Sequence, residues 1–585
     1  MKKSKKTIIS AACALLALLT TACSNDDVVD GKKNGQIDAK KNIEFSLKFD
    51  DYNAGDTIDH ATRAAQDAEL AKPRIIPMGD MMYAEVSMQR DTTKASPKEK
   101  AAATRALSNG TYTIYAYQGT TLKGTLTGTV VSNIFTPTSS NQEIGLEPGT
   151  YTFVCCNDKV HVSGETWTIG RADAETARIG IAAGKVVTAT PLKQKVAFEM
   201  KHVASRARIL IEADGFPIWD ATATFASTAN IPAKVEFNTA TQSYTMKEDE
   251  SFTKNITFKP GVHDDFEMNP LNDANITSYI YSPNDRSYYP FLPTTNGANL
   301  KLTLTGGTAF RLPLNGRSVT FPALTSMNPN GSYTLRLKLH YNYFYLFSDG
   351  TIGQKTDANF SSKTPIAVVV SRSKRIAAAL NDIDTRTISN FKWGKDNTTT
   401  TTTAGSPSYL SDLNGYDLTY STTYSTDGIV KGNDATNYPA FYAAAHYNPG
   451  VTITGANVGK WYLPSMGEWN LYFKNLIFLS DRDLNSSAAE YSYLGPDLWV
   501  FNNIRDKFHE CHNHFSILYA SSSEISQSEY YSYVCMYAYM DPYSSLPIPV
   551  FDRRHQVESI DKGIKTGPTS PTSEVHLFIR PFIHY

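Results

Sequence analysis

Apolar and polar residues alternate in short bursts along most of the chain up to His340, the period of half-buried β-strands. Ile43-Glu-Phe-Ser-Leu-Lys-Phe49 alternates without a break. A polar stretch from Asp50 to about Pro73 follows, and residues 78–88 read as the next strand. Gly110-Thr-Tyr-Thr-Ile-Tyr-Ala-Tyr117, residues 123–132, Tyr151-Thr-Phe-Val-Cys-Cys156, Ala197-Phe-Glu-Met-Lys-His-Val203 and Ala207-Arg-Ile-Leu-Ile-Glu-Ala213 continue the series. It closes on Gly331-Ser-Tyr-Thr-Leu-Arg-Leu-Lys-Leu-His340. Strands at this spacing, with turn residues between them and no helical pattern to alternate with, predict two antiparallel β-sandwiches. The boundary falls near 205–215, giving sandwiches at 43–210 and 211–342.

Beyond 342 the pattern changes. Pro365-Ile-Ala-Val-Val-Val370 and Arg375-Ile-Ala-Ala-Ala-Leu380 predict a hairpin of buried strands, although the second run is short enough to be helical. Asn437 to Tyr447 suits a helix with Pro439 in its first turn. The clearest local signal runs from Gly459 to Trp469. Trp461, Tyr462 and Leu463 are extended and apolar, and Pro464 ends the strand. Ser465 and Glu468 stand at capping-box spacing. Trp469, Tyr472, Phe473 and Leu476 fall at i, i+3, i+4 and i+7, one apolar helix face. The corner Trp461, Leu463, Pro464, Ser465, Glu468 and Trp469 is therefore read as scaffold and not as a reactive site.

At 585 residues the chain exceeds one core, so two or three domains are expected. Lys plus Arg number 56 against 57 Asp plus Glu, a balance that leaves no footprint for nucleic acid. Asp, Glu and His are scattered, without a catalytic triad, metal or phosphate-loop signature, so neither an enzyme nor a cofactor is expected.

The N-terminus reads as a targeting segment. Lys2, Lys3, Lys5 and Lys6 precede a short apolar run, Ile8 to Leu19. Leu19-Thr-Thr-Ala-Cys23 resembles a bacterial lipobox, with Cys23 as the diacylated mature N-terminus. Ser24-Asn-Asp-Asp27 resembles the acidic signal that sends lipoproteins of some gut and oral bacteria to the outer face of the outer membrane. Residues 1–23 are thus expected to be signal and lipobox, and 24–42 a tether. Adjacent Cys155 and Cys156 are a strained spacing for a disulfide and sit in a buried strand pattern. Cys511 and Cys535 are the candidate disulfide of an exported domain. The competing reading, a metal held among His509, Cys511, His512 and His514, lacks a second ligand pair at finger-like spacing.

Leu146-Glu-Pro-Gly-Thr-Tyr-Thr-Phe-Val154, Phe198-Glu-Met-Lys-His202 leading into Ala207-Arg-Ile-Leu-Ile211, and Gly331-Ser-Tyr-Thr-Leu335 resemble, behind a lipobox, the fimbrillin family of type V fimbriae. The resemblance spans about 43–342. It implies tandem transthyretin-like Greek-key β-sandwiches, export as a lipidated precursor, arginine-specific removal of the first strand, and filling of the open groove by a strand of the next subunit. Ile43–Phe49 is then the removable strand and Arg63 the candidate cleavage site, with Arg74, Arg90 and Arg105 as rivals. Further on, Ser348-Asp-Gly-Thr-Ile352, Lys392-Trp-Gly394, the 461–469 corner, Ser521-Ser-Ser-Glu524 and Ile579-Arg-Pro-Phe582 resemble a bacterial C-type-lectin-like domain, an α+β fold covering 343–585. The Glu-Pro-Asn, Gln-Pro-Asp and Trp-Asn-Asp motifs that hold Ca²⁺ and sugar are absent after 344. Together the resemblances imply a fimbrial tip adhesin. Its partners would be other fimbrial subunits, the outer membrane through the precursor's lipid, and a host protein or glycan. The alternative is a surface lipoprotein that captures glycans without polymerising. The aromatic run from Tyr530 to Tyr543 could stack on sugar faces or be ordinary core.

Overall fold

The computed structural model describes residues 36–52, 72–91 except 80, 110–138, 144–190, 193–214, 218–260, 278–283, 288–321, 327–384, 411–476 except 426, 478, 492–493, 516–524, 531–540, 547–552 and 576–585. The fold is mainly β with a few short helices. It divides into two compact units that alternate along the chain. Unit 1 is drawn from Met1–Phe49, Pro97–Asp158 and Ile179–Met200, and unit 2 from Asp50–Ser96, Lys159–Arg178 and Lys201–Tyr585.

Unit 1 is a closed sheet. Its strands run Arg178–Val187, Gln194–His202, Ile43–Phe49, Ile134–Pro137, Thr121–Val131, Thr111–Gln118 and Gly149–Asn157, the last pairing back to the first. Closure leaves no free edge and places alternate side chains inside. Ile43, Phe45 and Leu47 point inward and are buried, as their alternation predicts. Cys155 and Cys156 are buried free thiols, and burial pushes the Cys156 thiol up to about 12.

Residues 37–42, expected to be tether, are folded. Ile37–Asp38 pairs with Gly145–Leu146, and Ala39–Asn42 forms one helical turn capped by Asp38. Ile37 and Ala39 are buried there. Two isolated apolar positions among polar residues carry no period, so the sequence pattern passes over them.

In unit 2 an 11-stranded sheet contains Ser205–Asp214 and Ser332–Tyr341 as a parallel pair, with Met82–Arg90 antiparallel on the far side of Ser332–Tyr341. Met82–Arg90 thus pairs with a strand some two hundred and fifty residues later, from Tyr333↔Arg90 to Tyr341↔Met82. A four-stranded sheet joins His161–Ser163, Thr166–Gly170, Ile231–Asn238 and Ser243–Glu250. Arg171 braces it, donating to the carbonyls of Ile231 and Pro232.

The C-terminal part of unit 2 holds two six-stranded sheets. One is ordered Ile352–Gln354, Phe344–Phe347, Pro365–Ser371, Ile376–Ala379, Phe582–His584, Trp461–Tyr462. The expected hairpin is present, and Ile376–Ala379 is strand, buried at every position. The helix Pro439–Ala445 starts on its proline, as expected. One apolar core runs from the Met82–Arg90 and Ser332–Tyr341 strands into the helix Met466–Leu476. Tyr341 meets Phe478 at 4.7 Å, and the Tyr343 hydroxyl donates to the Leu476 carbonyl at 2.9 Å. The region after 343 is therefore packed onto the preceding sheet and not hung from it.

Candidate functional site

The first candidate site is the place of the Ile43–Phe49 strand. Along one side it pairs in parallel with Gln194–His202, from Gln194↔Ile43 to Met200↔Phe49. On the other side it meets Ile134–Pro137 at one bridge, Ser46↔Ile134, with Leu47 N–H donating to Asn133 O at 2.8 Å. The Phe45 ring lies 5.6 Å from Phe153 and 6.2 Å from both Phe135 and Phe198. The strand is thus a hydrophobic plug with main-chain bonds to a single continuous neighbour. Removing it would bare the backbone of Gln194–Met200 and a slot lined by Phe135, Phe153 and Phe198. Such a slot is apolar, extended and hydrogen-bonding, the requirements of β-augmentation.

The 461–469 corner is the second. Trp461–Tyr462 pairs with Phe582–His584, and the helix begins at Met466. Trp469, Tyr472, Phe473 and Leu476 are buried, as the periodicity predicts. Leu463, Pro464 and Ser465 are also buried. The capping box is half formed. Ser465 N–H donates to Glu468 Oε2 at 2.8 Å, the reach-back of the box. Ser465 Oγ instead lies 2.6 Å from Asp412 O and 3.0 Å from Glu468 Oε2, and its one proton serves one of them at a time.

Glu468 is fully buried, where an ordinary cap is solvated. The Tyr462 hydroxyl donates to its Oε1 at 2.8 Å, and a Cβ at Gly415 would run into its Oε2. Burial, opposed by these hydrogen bonds, pushes the carboxyl up to about 8, which favours its neutral form near pH 7. Tyr462 OH also lies 3.2 Å from His584 Nε2, which ties the corner to the Phe582–His584 strand. Capping-box spacing pointed to Glu468. Nothing local pointed to Gly415, Asp412 or His584, which approach it from elsewhere in the chain. The buried Glu468 carboxyl, Tyr462 hydroxyl and Ser465 amide thus bond to one another and join three distant stretches of the chain.

Phe582–His584 lies between Ile376–Ala379 and Trp461–Tyr462, bonded on both sides. Phe582 packs 5.3 Å from Trp469. Arg580, just before it, donates to Asp382 and to the Tyr472 hydroxyl.

Cys23, Arg63, Arg105, Cys511 and His509, His512 and His514 lie outside the described residues. Cys535 falls in the strand Tyr531–Met540, opposite Leu518 and Asp552. Its pairing with Cys511 therefore involves a residue outside the described set. Of the rival arginines, Arg74 and Arg90 lie in paired strands. Among the described residues no group of three or more His, Cys, Asp or Glu could hold a metal ion. No helix among them is long and apolar enough to cross a membrane.

No family model matches the chain, and no curated protein matches it. Several solved structures overlap part of it. A fimbrial protein from Bacteroides vulgatus is 12% identical and covers 45% of this chain and 96% of its own, at a TM-score of 0.26. A candidate cell adhesion protein from Bacteroides uniformis is 17% identical over 39% of this chain and 86% of its own, at 0.26. The fimbrial anchor protein Mfa2 from Porphyromonas gingivalis is 11% identical over 56% of this chain and 96% of its own, at 0.24. Overlaps this loose carry no argument about this chain.

Proposed function

We propose that this chain is a fimbrial subunit of the fimbrillin type that accepts a strand at the place of Ile43–Phe49 and presents its C-terminal region as an adhesin. The observation that carries the reading is the Ile43–Phe49 strand itself. It fills an aromatic slot in unit 1 and is bonded continuously on one side only. A chain cut after it could exchange it for a strand of another subunit, satisfying the same backbone groups and the same apolar positions.

The pairing of the Phe582–His584 strand is what supports the position proposed for the subunit. Phe582–His584 is an inner strand, and extracting it would expose Phe582 and Ile583 and unpair two neighbours. In this reading the subunit receives a strand without giving this one and sits at the distal end of a fibre. In the same reading residues 343–585 form a C-type-lectin-like head, and Cys23 carries the lipid of an outer-membrane precursor. The head meets a host or bacterial surface ligand without the Ca²⁺-dependent sugar motifs.

The test is processing. Treatment of the purified precursor with a trypsin-like protease is expected to give a new N-terminus at Ala64, and the lipid-free form is expected in sheared fimbriae. A chain that stays intact, or is cut only at Arg74, Arg90 or Arg105, rules out Arg63. A permanently lipidated chain absent from fimbriae favours a glycan-capturing surface lipoprotein instead.

A further inference from the structure

The chain leaves the Ile43–Phe49 strand and enters unit 2 at Asp50. There it is gripped within three residues. The Arg178 guanidinium donates to Asp50 O at 3.1 Å, and Asn330 Nδ2 donates to Asp51 O at 3.2 Å. Asn330 is itself fixed, accepting from the His202 backbone N–H on its Oδ1 at 3.2 Å. The Tyr52 ring stacks on the His202 imidazole, centroids 3.7 Å apart and planes 14° from parallel. The Arg206 guanidinium lies over the same Tyr52 ring at 4.1 Å and over the Tyr288 ring at 3.8 Å.

Each wall of this socket has its own support. Arg178 donates to His202 Nε2 at 2.6 Å, which requires that nitrogen to be unprotonated and sets the imidazole plane. Arg206 Nε donates to Ser332 Oγ at 2.9 Å. Tyr288 donates its hydroxyl to Asp91, which also receives Arg208. A guanidinium lying over the Tyr288 ring, with its Nε bonded to Ser332, is a preformed seat for a further ring.

We propose that His202, Arg206 and Tyr288 form an aromatic-recognition socket that holds Tyr52 and so retains residues 43–52 on the protein after the chain has been cut downstream. The proposal rests on the strand-exchange reading for its purpose, though not for its geometry. Cleavage after Tyr52 severs no bond within the strand, its plug or the socket. The cut segment therefore stays seated, covering the apolar slot until a partner displaces it. An incoming segment competes best when it carries an aromatic ring three residues past its last strand position, as Tyr52 stands to Phe49.

The full chain is prepared with Arg63 replaced by a site-specific protease sequence, cut, and the cut verified on a denaturing gel. Loss of the N-terminal fragment is then followed over time by native mass spectrometry, for Tyr52, Tyr52→Phe and Tyr52→Ala. The fragment is expected to remain on the parent and on Tyr52→Phe, and to leave Tyr52→Ala roughly tenfold faster, the scale of one desolvated ring–cation contact. Arg206→Lys probes the same contact from the other wall and is expected to speed release without touching the segment. Equal release from Tyr52 and Tyr52→Ala, or immediate loss from every form, overturns the proposal. A fragment held through Tyr52 that no added strand peptide displaces leaves the socket standing and contradicts strand exchange.

Discussion

A carboxyl sealed from water costs folding free energy whenever it ionises, and Glu468 is such a group. Its folded value of about 8 lies above the ordinary 4.5, so between these limits the folded chain keeps a proton that the unfolded chain releases. The contribution is complete below about pH 4.5 and is lost as pH rises towards 8. The slope is at most about 1.4 kcal/mol per pH unit. Denaturant melts of Glu468→Gln between pH 5 and 8.5 are expected to lack this part of the decline, because an amide accepts from Tyr462 or Ser465 without ionising. Parallel pH profiles for the two proteins would show that Glu468 is already charged in the fold. The residue also marks a limit of sequence reading. Ser465 and Glu468 at capping spacing look the same whether the cap is wet or dry. Burial here is decided by Gly415 and Asp412, some fifty residues away. The Tyr52 socket was illegible for a like reason: His202, Arg206 and Tyr288 are remote from Tyr52 and follow no period.

At the scale of the element, the Ile43–Phe49 strand was legible because one face meets a core and the other meets water. The inward face is Ile43, Phe45 and Leu47, and the outward Glu44 pairs at 3.2 Å with exposed Lys195. Its parallel pairing with Gln194–His202 was not legible. Strand alternation reports a buried face and says nothing of the neighbour, and this neighbour lies some hundred and fifty residues on. The face predicts unequal costs. Phe45→Ala is expected to destabilise unit 1 by about 3–5 kcal/mol, the usual penalty for emptying an aromatic site. Glu44→Ala, which loses a solvated ion pair, is expected to change stability by less than about 0.5 kcal/mol. Thermal melts of the two variants check the contrast, and comparable shifts would mean that the strand is not the plug of the slot. The Met466–Leu476 helix was legible throughout, since its stop, cap and apolar face all lie within sixteen residues of Trp461.

At the scale of the molecule, contiguous sandwiches at 43–210 and 211–342 were the expectation, and the compact units are built otherwise. Asp50–Ser96 and Lys159–Arg178 belong to unit 2, so the chain enters that unit twice before returning for good at Lys201. Long-range pairs such as Met82–Arg90 with Ser332–Tyr341 decide this, and no local pattern encodes them. The alternation has a functional consequence under the proposed reading. The removable strand sits in one unit while the three residues that follow it are anchored in the other, so cutting the chain and emptying the slot are separate events. Under the same reading the Phe582–His584 strand, paired on both sides, is not the strand the subunit gives to a neighbour. The claim that this subunit receives a strand and caps the assembly is tested most directly by electron microscopy of intact fimbriae with gold-labelled antibody against residues 344–585. The account predicts gold at the distal ends. Gold distributed along the shafts would contradict it.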